Sequence, residues 1–173
     1  MDAIELLRQQ VQTAHEVMEG TIGDLTPDQA AHDPGGKAIP AGALYAHSVL
    51  GEDVFINMMI RGGQALAMSS FAGKAGVSEP PPMGGAFDEW ARRVKVDVPA
   101  VRQYAQAVYQ STNEYLSSLK PEDLNRELDL SSYDLGKQSL AWVISMIAVV
   151  HPSNHCGEIS CIKGTQGAKG YPF

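Results

Sequence analysis

Two histidines stand four residues apart near the end of the chain, in the stretch "HPSNHCGEI" that begins at His151. Residues four apart are neighbours on one face of an α-helix, so the imidazoles of His151 and His155 would point the same way. Glu158, seven residues after His151, lies close to the same line. Paired imidazoles at this spacing can bind one metal ion, although the spacing alone is weak evidence because two histidines often share a helix face by chance.

Three features around the pair strengthen the metal hypothesis. The pair directly follows the apolar run Leu140–Val150, so both rings should begin inside the protein, where a polar group needs a partner. Pro152 removes a backbone donor between them and is expected to bend the helix. His47 lies in the middle of another helical stretch, "ALYAHSVLGEDVF", with apolar residues at helical spacing on its side. Three inward histidines from two helices would leave one coordination position open, as in catalytic metal sites.

Each of these residues also has a simpler interpretation. His151 and His155 could be helix-end histidines favoured by the negative end of the helix dipole, but "GEISCIKG" indicates that the helix continues. His47 alone would more often be a core histidine bonded to a backbone carbonyl. Glu158 fits four roles: a hydrogen-bond partner of a ligand imidazole, a metal ligand, an acid/base group, or a plain surface residue.

Other polar residues on the same helices are expected to lie away from the site. His15 is next to Glu16, one step from the apolar stripe of the first helix, and is predicted to be exposed. Glu52 and Asp53 follow His47 by five and six positions, which rotates them off its face. We expect this acidic pair to form a solvated edge or a dimer contact.

Four long stretches with apolar residues at steps of three and four must position these side chains. Strand patterns are nearly absent, and the polar connector "SSYDLGKQS" is expected to be a loop or turn. "TPDQAA" predicts a short helix capped by Thr26, and a shorter helix is expected over 87–96 after a loop over 64–86. The pattern predicts an all-α four-helix bundle in a single domain spanning residues 1–173. The predicted long helices cover about 2–20, 40–62, 99–119 and, from an N-cap at Ser139, 140–164. The apolar positions of the second helix, expected to face inward, are Leu44, Val49 or Leu50, Val54, Met58 and Met59.

Composition argues against several classes of function. The net charge is −7 and the Lys and Arg residues are scattered, whereas nucleic-acid binding needs a clustered basic surface. The N-terminus "MDAIELLRQQ" lacks the features of a signal peptide, and the longest apolar run is about half of what a bilayer crossing needs. Cys156 and Cys161 lie five apart on one predicted helix and should point in different directions, so no disulfide is expected. The cytoplasm is the predicted compartment.

A single histidine in the second helix followed by a late "HPSNHCGEI" resembles the DinB-like superfamily. That group includes the DUF664 proteins and relatives of the mycothiol-dependent maleylpyruvate isomerases. The resemblance extends from "IPAGALYAHSVLGED" to the terminal "GYPF". It implies a bundle with up-down-down-up connectivity, commonly a homodimer, in which His47, His151 and His155 hold a divalent ion. The chain departs from the family at Cys156 and Glu158, where a basic residue and a glutamine are usual.

The resemblance implies a metal-dependent enzyme that acts on a small molecule, by thiol-dependent S-transfer, isomerisation or hydrolysis. A low-molecular-weight thiol would be a substrate. Three neutral imidazoles suit zinc or nickel first, and also iron or copper. The alternative is a non-catalytic bundle whose structural metal braces the second and fourth helices, serving as a dimeric stress-related interaction module. A fourth protein ligand, for which Glu158 is the candidate, would favour the brace, and an open metal position facing a pocket would favour the enzyme.

Overall fold

Helices account for most of the computed structural model, which describes residues 1–82 and 86–173. Two π-helical segments interrupt the long helices: Val54–Ile60 continues α3, and Met146–Val150 joins α6 to α7. The seven α-helices of the described chain are α1 Ala3–Ile22, α2 Pro27–Ala31, α3 Ala41–Asp53, α4 Phe87–Arg93, α5 Val98–Ser118, α6 Leu140–Ser145 and α7 His151–Thr165.

Side-chain caps set where several helices begin. Asp2 accepts a hydrogen bond from a backbone N–H in the first turn of α1, and Asp97 does the same for α5. Thr26 and Gln29 form a capping box at the start of α2, and Ser139 caps α6. The predicted N-caps at Thr26 and Ser139 are therefore confirmed, and the boundaries of the long helices fall within about two residues of those expected from the pattern.

The long helical segments pack side by side. Helix α1 contacts α5 and α7, and α3 contacts the same two helices, while α2 and α4 pack onto α3. The buried apolar side chains form two main clusters. One contains Met18, Tyr45, Tyr104 and Ile159, and the other contains Leu7, Ile56, Leu116 and Ile144.

The π-helical segment after α3 changes which residues face the core. The helical pattern placed Val54 and Met58 inward, but both are only half-buried, and Ile56 and Ile60 are buried instead. A π-helix bonds each residue to the one five positions away, so it adds a residue and rotates the next side chains around the helix axis. The expected inward positions of this segment were wrong for that reason.

The connector between α5 and α6 contains a small antiparallel hairpin, contrary to the expected loop. Strand β1, Glu127–Asp129, pairs with β2, Lys137–Ser139, with Glu127 opposite Ser139. Three-residue strands are too short to show a pattern of alternating polarity, so no sequence pattern indicated them.

No helix of the described residues is long and apolar enough to cross a membrane.

The long connection from 61 to 97 is held together by contacts between its own residues. Val77 pairs with Val96 in an isolated bridge, and Arg93 forms a two-pronged ion pair with Glu79. A short 3₁₀ helix, Leu66–Met68, lies within the predicted loop 64–86. The "MGG" of that loop, at 83–85, lies outside the described residues.

Candidate metal centre

Three histidine rings converge between α3 and α7. His47 is in the middle of α3, His151 begins α7, and His155 follows one turn later. The Nε2 atom of His151 lies 3.1 Å from that of His47 and 3.0 Å from that of His155. One nitrogen of each ring falls within 4.8 Å of the other two. The structure thus brings together the three residues that the sequence suggested as ligands.

The local chain leaves room for these rings. Gly51 lies one turn after His47, and a Cβ atom there would be 3.5 Å from Cε1 of His151, so the ring packs directly against the backbone of α3. Pro152 is the second residue of α7 and supplies no N–H to the helix, which continues directly from the π-helical segment before it. The π-helical segment Met146–Val150 ends immediately before His151. Such segments often occur at functional sites because they reposition the neighbouring side chains.

Glu158 fixes the orientation of one ring. Its Oε2 atom lies 2.7 Å from Nδ1 of His155, three residues away, while its side chain remains 56% exposed. A carboxylate can only accept here, so Nδ1 of His155 is the donor, and in the neutral ring Nε2 then presents a lone pair to the other rings. The structure places Glu158 behind the ring, on the side away from the three converging nitrogens.

Burial keeps two of the rings neutral. It lowers the pKa of His47 to about 4, and the nearby His155 contributes a smaller effect in the same direction. Burial likewise lowers the pKa of His151 to about 3, assisted by His155 and His47. Near neutral pH both rings are therefore unprotonated, as a metal ligand must be.

Hydrogen bonds alone do not satisfy the three rings, whereas each ring could present an Nε2 lone pair to one cation. Because Nε2 of His155 presents a lone pair, Nε2 of His151 must donate to it, which leaves Nδ1 of His151 as an acceptor. Among the described residues that buried Nδ1 has no hydrogen-bond partner. The Nε2 atom of His151 can carry only one proton, so it cannot make a well-aligned bond both to His155 and to His47, 3.1 Å away. An ion at the centre would accept the Nε2 lone pairs of all three rings. Ligand nitrogens around tetrahedral zinc lie about 3.3 Å apart, close to the observed spacing.

An aromatic side chain flanks the cluster. The ring of Phe87, at the start of α4, lies 4.5 Å from that of His47, centroid to centroid. Trp90 packs behind Phe87 and donates from Nε1 to the backbone carbonyl of Glu79. The sequence indicated Phe87 only as the start of a short helix, because nothing in its spacing connects it to His47. Among the described residues, the group of converging ligand atoms contains no carboxylate and no thiol.

The expectation that His15 is exposed and Glu52 solvated is wrong. His15 is 7% exposed and Glu52 is 2% exposed, with Nε2 of the first 2.8 Å from Oε2 of the second. Thr112 donates its hydroxyl to the other carboxylate oxygen, and the ring of Tyr109 stacks on His15. The burial of His15 could have been predicted from the sequence, because His15 lies four residues after Val11 and so on the stripe of α1 that faces the core.

Asp53 is also buried, for a different reason. Its carboxylate accepts hydrogen bonds from the backbone N–H groups of Leu66 and Ala67, at 2.9 Å each, and from the hydroxyl of Tyr104 at 2.6 Å. These bonds fasten the start of the long connection to the end of α3. The sequence could not indicate this because the partners are loop N–H groups, which any residue type could supply.

Comparisons with known proteins agree with this architecture. The family model described as the DinB superfamily matches residues 10–159. Among solved structures, the chain is similar to a crystal structure described as the conserved protein of a locus from Enterococcus faecalis, with 21% identity and a TM-score of 0.79. The match covers 94% of this chain and 96% of that one. At this identity the likeness concerns the fold alone. No curated protein is detectably similar to the chain.

Proposed function

The chain belongs to the DinB superfamily, and on that premise we propose that it binds one divalent transition-metal ion through His47, His151 and His155. The observation that carries the proposal is the convergence of three Nε2 atoms, two pairs of them 3.0–3.1 Å apart. Zinc or nickel is the first expectation for three neutral imidazoles, and iron or copper would also suit them. The proposal includes the up-down-down-up connectivity of four long helices, which the contacts of α1 and α3 with both α5 and α7 support.

We propose further that the site serves a metal-dependent reaction of a small molecule, of the thiol-transfer, isomerisation or hydrolysis type. When bound, the ion supplies a Lewis acid with a position for a thiol or a water. The chain's own residues prepare that position. Glu158 holds the Nδ1 proton of His155 and so keeps its Nε2 lone pair available, while Phe87 provides an apolar wall beside His47.

Metal content measured on protein purified without an affinity tag tests the binding proposal. We expect about one equivalent of transition metal per chain in the wild type, and loss of that metal in His47→Ala and His151→Ala, because each removes one of three ligands. His32→Ala is the matched control, since His32 is an exposed histidine in the loop after α2. Equal metal content in the wild type and the His151→Ala variant would refute the site.

The alternative function, a non-catalytic metal brace, rests on the same rings because they join α3 to α7. A titration of cobalt-loaded protein with a low-molecular-weight thiol separates the two functions. A change in the visible spectrum is expected if the thiol reaches the ion, and a spectrum unchanged at millimolar thiol would favour the brace. His32→Ala again serves as the control for effects away from the site.

A further inference from the structure

A groove on the opposite flank of α7 is unrelated to the histidine cluster. It has a volume of about 610 Å³ and lies between α1 and the continuous helical segment formed by α6, the π-helical turn and α7. Since a helix turns about 100° per residue, Ser153 lies about 160° around the axis from His151 and faces the groove. The volume is within the range of about 300–1,000 Å³ that small-molecule sites occupy.

The side chains that line the groove are uncharged. The groove's polar side chains are those of Gln9, Gln10, Thr13, Ser153 and Tyr171, and its other walls are mostly apolar. The hydroxyls of Thr13 and Ser153 already donate to backbone carbonyls of their own helices. Although 19% of the residues of the chain are charged, no acidic or basic side chain is among the described residues that line the groove. An ionic ligand would lose its water there without gaining an ion partner, which is costly. The lining therefore suits a neutral ligand with few hydrogen-bonding groups.

One wall of the groove is formed by the last residues of the chain. The rings of Tyr171 and Phe173 lie nearly parallel, with centroids 5.7 Å apart. Two glycines seat this segment: a Cβ on Gly20 would come within 2.8 Å of Pro172, and a Cβ on Gly157 within 3.3 Å of the Tyr171 hydroxyl. The backbones of α1 and α7 thus admit Pro172 and Tyr171 closely, whereas the side chain of Phe173 is 84% exposed.

The end of the groove nearest the core contains the thiol of Cys156. Its sulfur lies 3.1 Å from the hydroxyl of Thr21, and burial raises the pKa of the thiol, so it is a neutral contact near pH 7. A protonated, hydrogen-bonded thiol offers a polarisable surface to a ligand rather than a nucleophile.

We propose that this groove binds a neutral, largely apolar small molecule with an aromatic ring system. Three observations support this occupant: the uncharged lining side chains, the nearly parallel rings of Tyr171 and Phe173, and the few amide and hydroxyl groups in the lining. The proposal is independent of the metal site, because the groove and the histidines occupy different flanks of α7.

Two fluorescent probes with the same ring skeleton test the chemistry of the groove. N-phenyl-1-naphthylamine is neutral, and 8-anilinonaphthalene-1-sulfonate carries one negative charge. We expect the neutral probe to bind saturably, with about one molecule per chain, and the sulfonate to bind at least about tenfold more weakly. Sulfonate binding as tight as that of the neutral probe would overturn the proposal.

Tryptophan substitutions locate the bound probe. Thr13→Trp places a large ring in the groove from an exposed position and should weaken binding of the neutral probe at least about tenfold. Gln12→Trp, one residue away and outside the lining, is the matched control and should bind as the wild type does. Gln9→Trp is a second filling variant, in case Thr13→Trp does not fold by circular dichroism.

Two further results would overturn the proposal. Unchanged affinity in the filling variants would place the probe elsewhere. Absence of probe binding to the wild type, together with a dimer that dissociates in Thr13→Trp by sedimentation, would assign the groove to a second copy of the chain.

Discussion

At the scale of single residues, each histidine of the cluster has a different environment behind it. His155 has the carboxylate of Glu158, His151 packs against the backbone at Gly51, and His47 is beside the ring of Phe87. The spacing of His151 and His155 was readable from the sequence because four residues make one helical turn. The approach of Phe87 was not readable, because it depends on how a connection of more than thirty residues folds back.

Glu158→Gln should lower metal affinity without abolishing binding. The glutamine amide can still accept a hydrogen bond from Nδ1 of His155, but it has no charge with which to raise the basicity of the ring. Removing such a partner typically lowers metal affinity about 10–100-fold. Competition with a chromogenic chelator would measure the affinity. Glu122→Gln, at an exposed position in the α5–β1 connector, should bind as the wild type does. Equal affinities in all three proteins would contradict a role for Glu158 in orienting His155.

The lowered pKa values of His47 and His151 predict how the stability of the metal-free protein depends on pH. Between the unfolded pKa near 6.5 and the folded values near 3–4, the unfolded chain binds more protons than the folded one. The stability that these two neutral rings contribute is therefore fully present above about pH 6.5, and it is lost as the pH falls through that window. We expect His151→Asn to reduce the loss between about pH 7 and about pH 5 by roughly 1–2 kcal/mol.

Urea denaturation of the metal-free wild type and the metal-free His151→Asn variant at the two pH values would measure that loss. His32→Asn keeps both buried rings and should follow the wild type. A wild type equally stable at both pH values would contradict the buried, neutral state of these rings.

At the scale of helices, the sequence predicted where the long segments lie but not how their axes are interrupted. Caps at Thr26 and Ser139 follow from local side-chain chemistry and were predicted correctly. The π-helical turns Val54–Ile60 and Met146–Val150 were not, because they depend on which side chains the neighbouring helices accept. Each adjoins an element that carries part of the histidine cluster, one continuing α3 and the other preceding α7.

A buried polar network joins α1, α3 and α5 through His15, Glu52 and Thr112, and we expect it to stabilise the packing of these helices. Glu52→Ala removes the partner of both His15 and Thr112 and leaves two buried polar groups unsatisfied. We expect a loss of about 3 kcal/mol in the free energy of unfolding, measured with urea. Glu114→Ala, at an exposed position of α5, should change it by no more than about 0.5 kcal/mol. A loss of similar size in both variants would mean that the buried network contributes little.

At the scale of the whole molecule, self-association stays a prediction that follows from the family resemblance. Exposed apolar side chains at the tip of the hairpin, Tyr133 and Leu135, are the surface we expect it to use, since the α1–α7 groove is assigned to a small molecule. Sedimentation should show twice the 18.6 kDa of one chain, and Thr13→Trp should leave that value unchanged. A single species of 18.6 kDa at all concentrations would contradict the dimer.

The single-domain organisation and the absence of nucleic-acid binding likewise stay predictions. They depend on length, composition and the net charge of −7, and these quantities do not specify a binding surface. What composition could not provide at this scale is the placement of buried charge. Asp53 and Glu52 lie inside because loop N–H groups and facing helices supply partners that no property of a single segment encodes.

The histidines of the cluster come from distant parts of the chain, since His47 and His151 are separated by 104 positions. A fragment that contains only α7 holds two of the three rings, and one that contains only α3 holds a single ring. At the proposed metal site, the full ligand set therefore forms only when α3 and α7 are packed together. Binding of an ion there would hold these two helices against separation, because the unfolded chain lacks the three-nitrogen site.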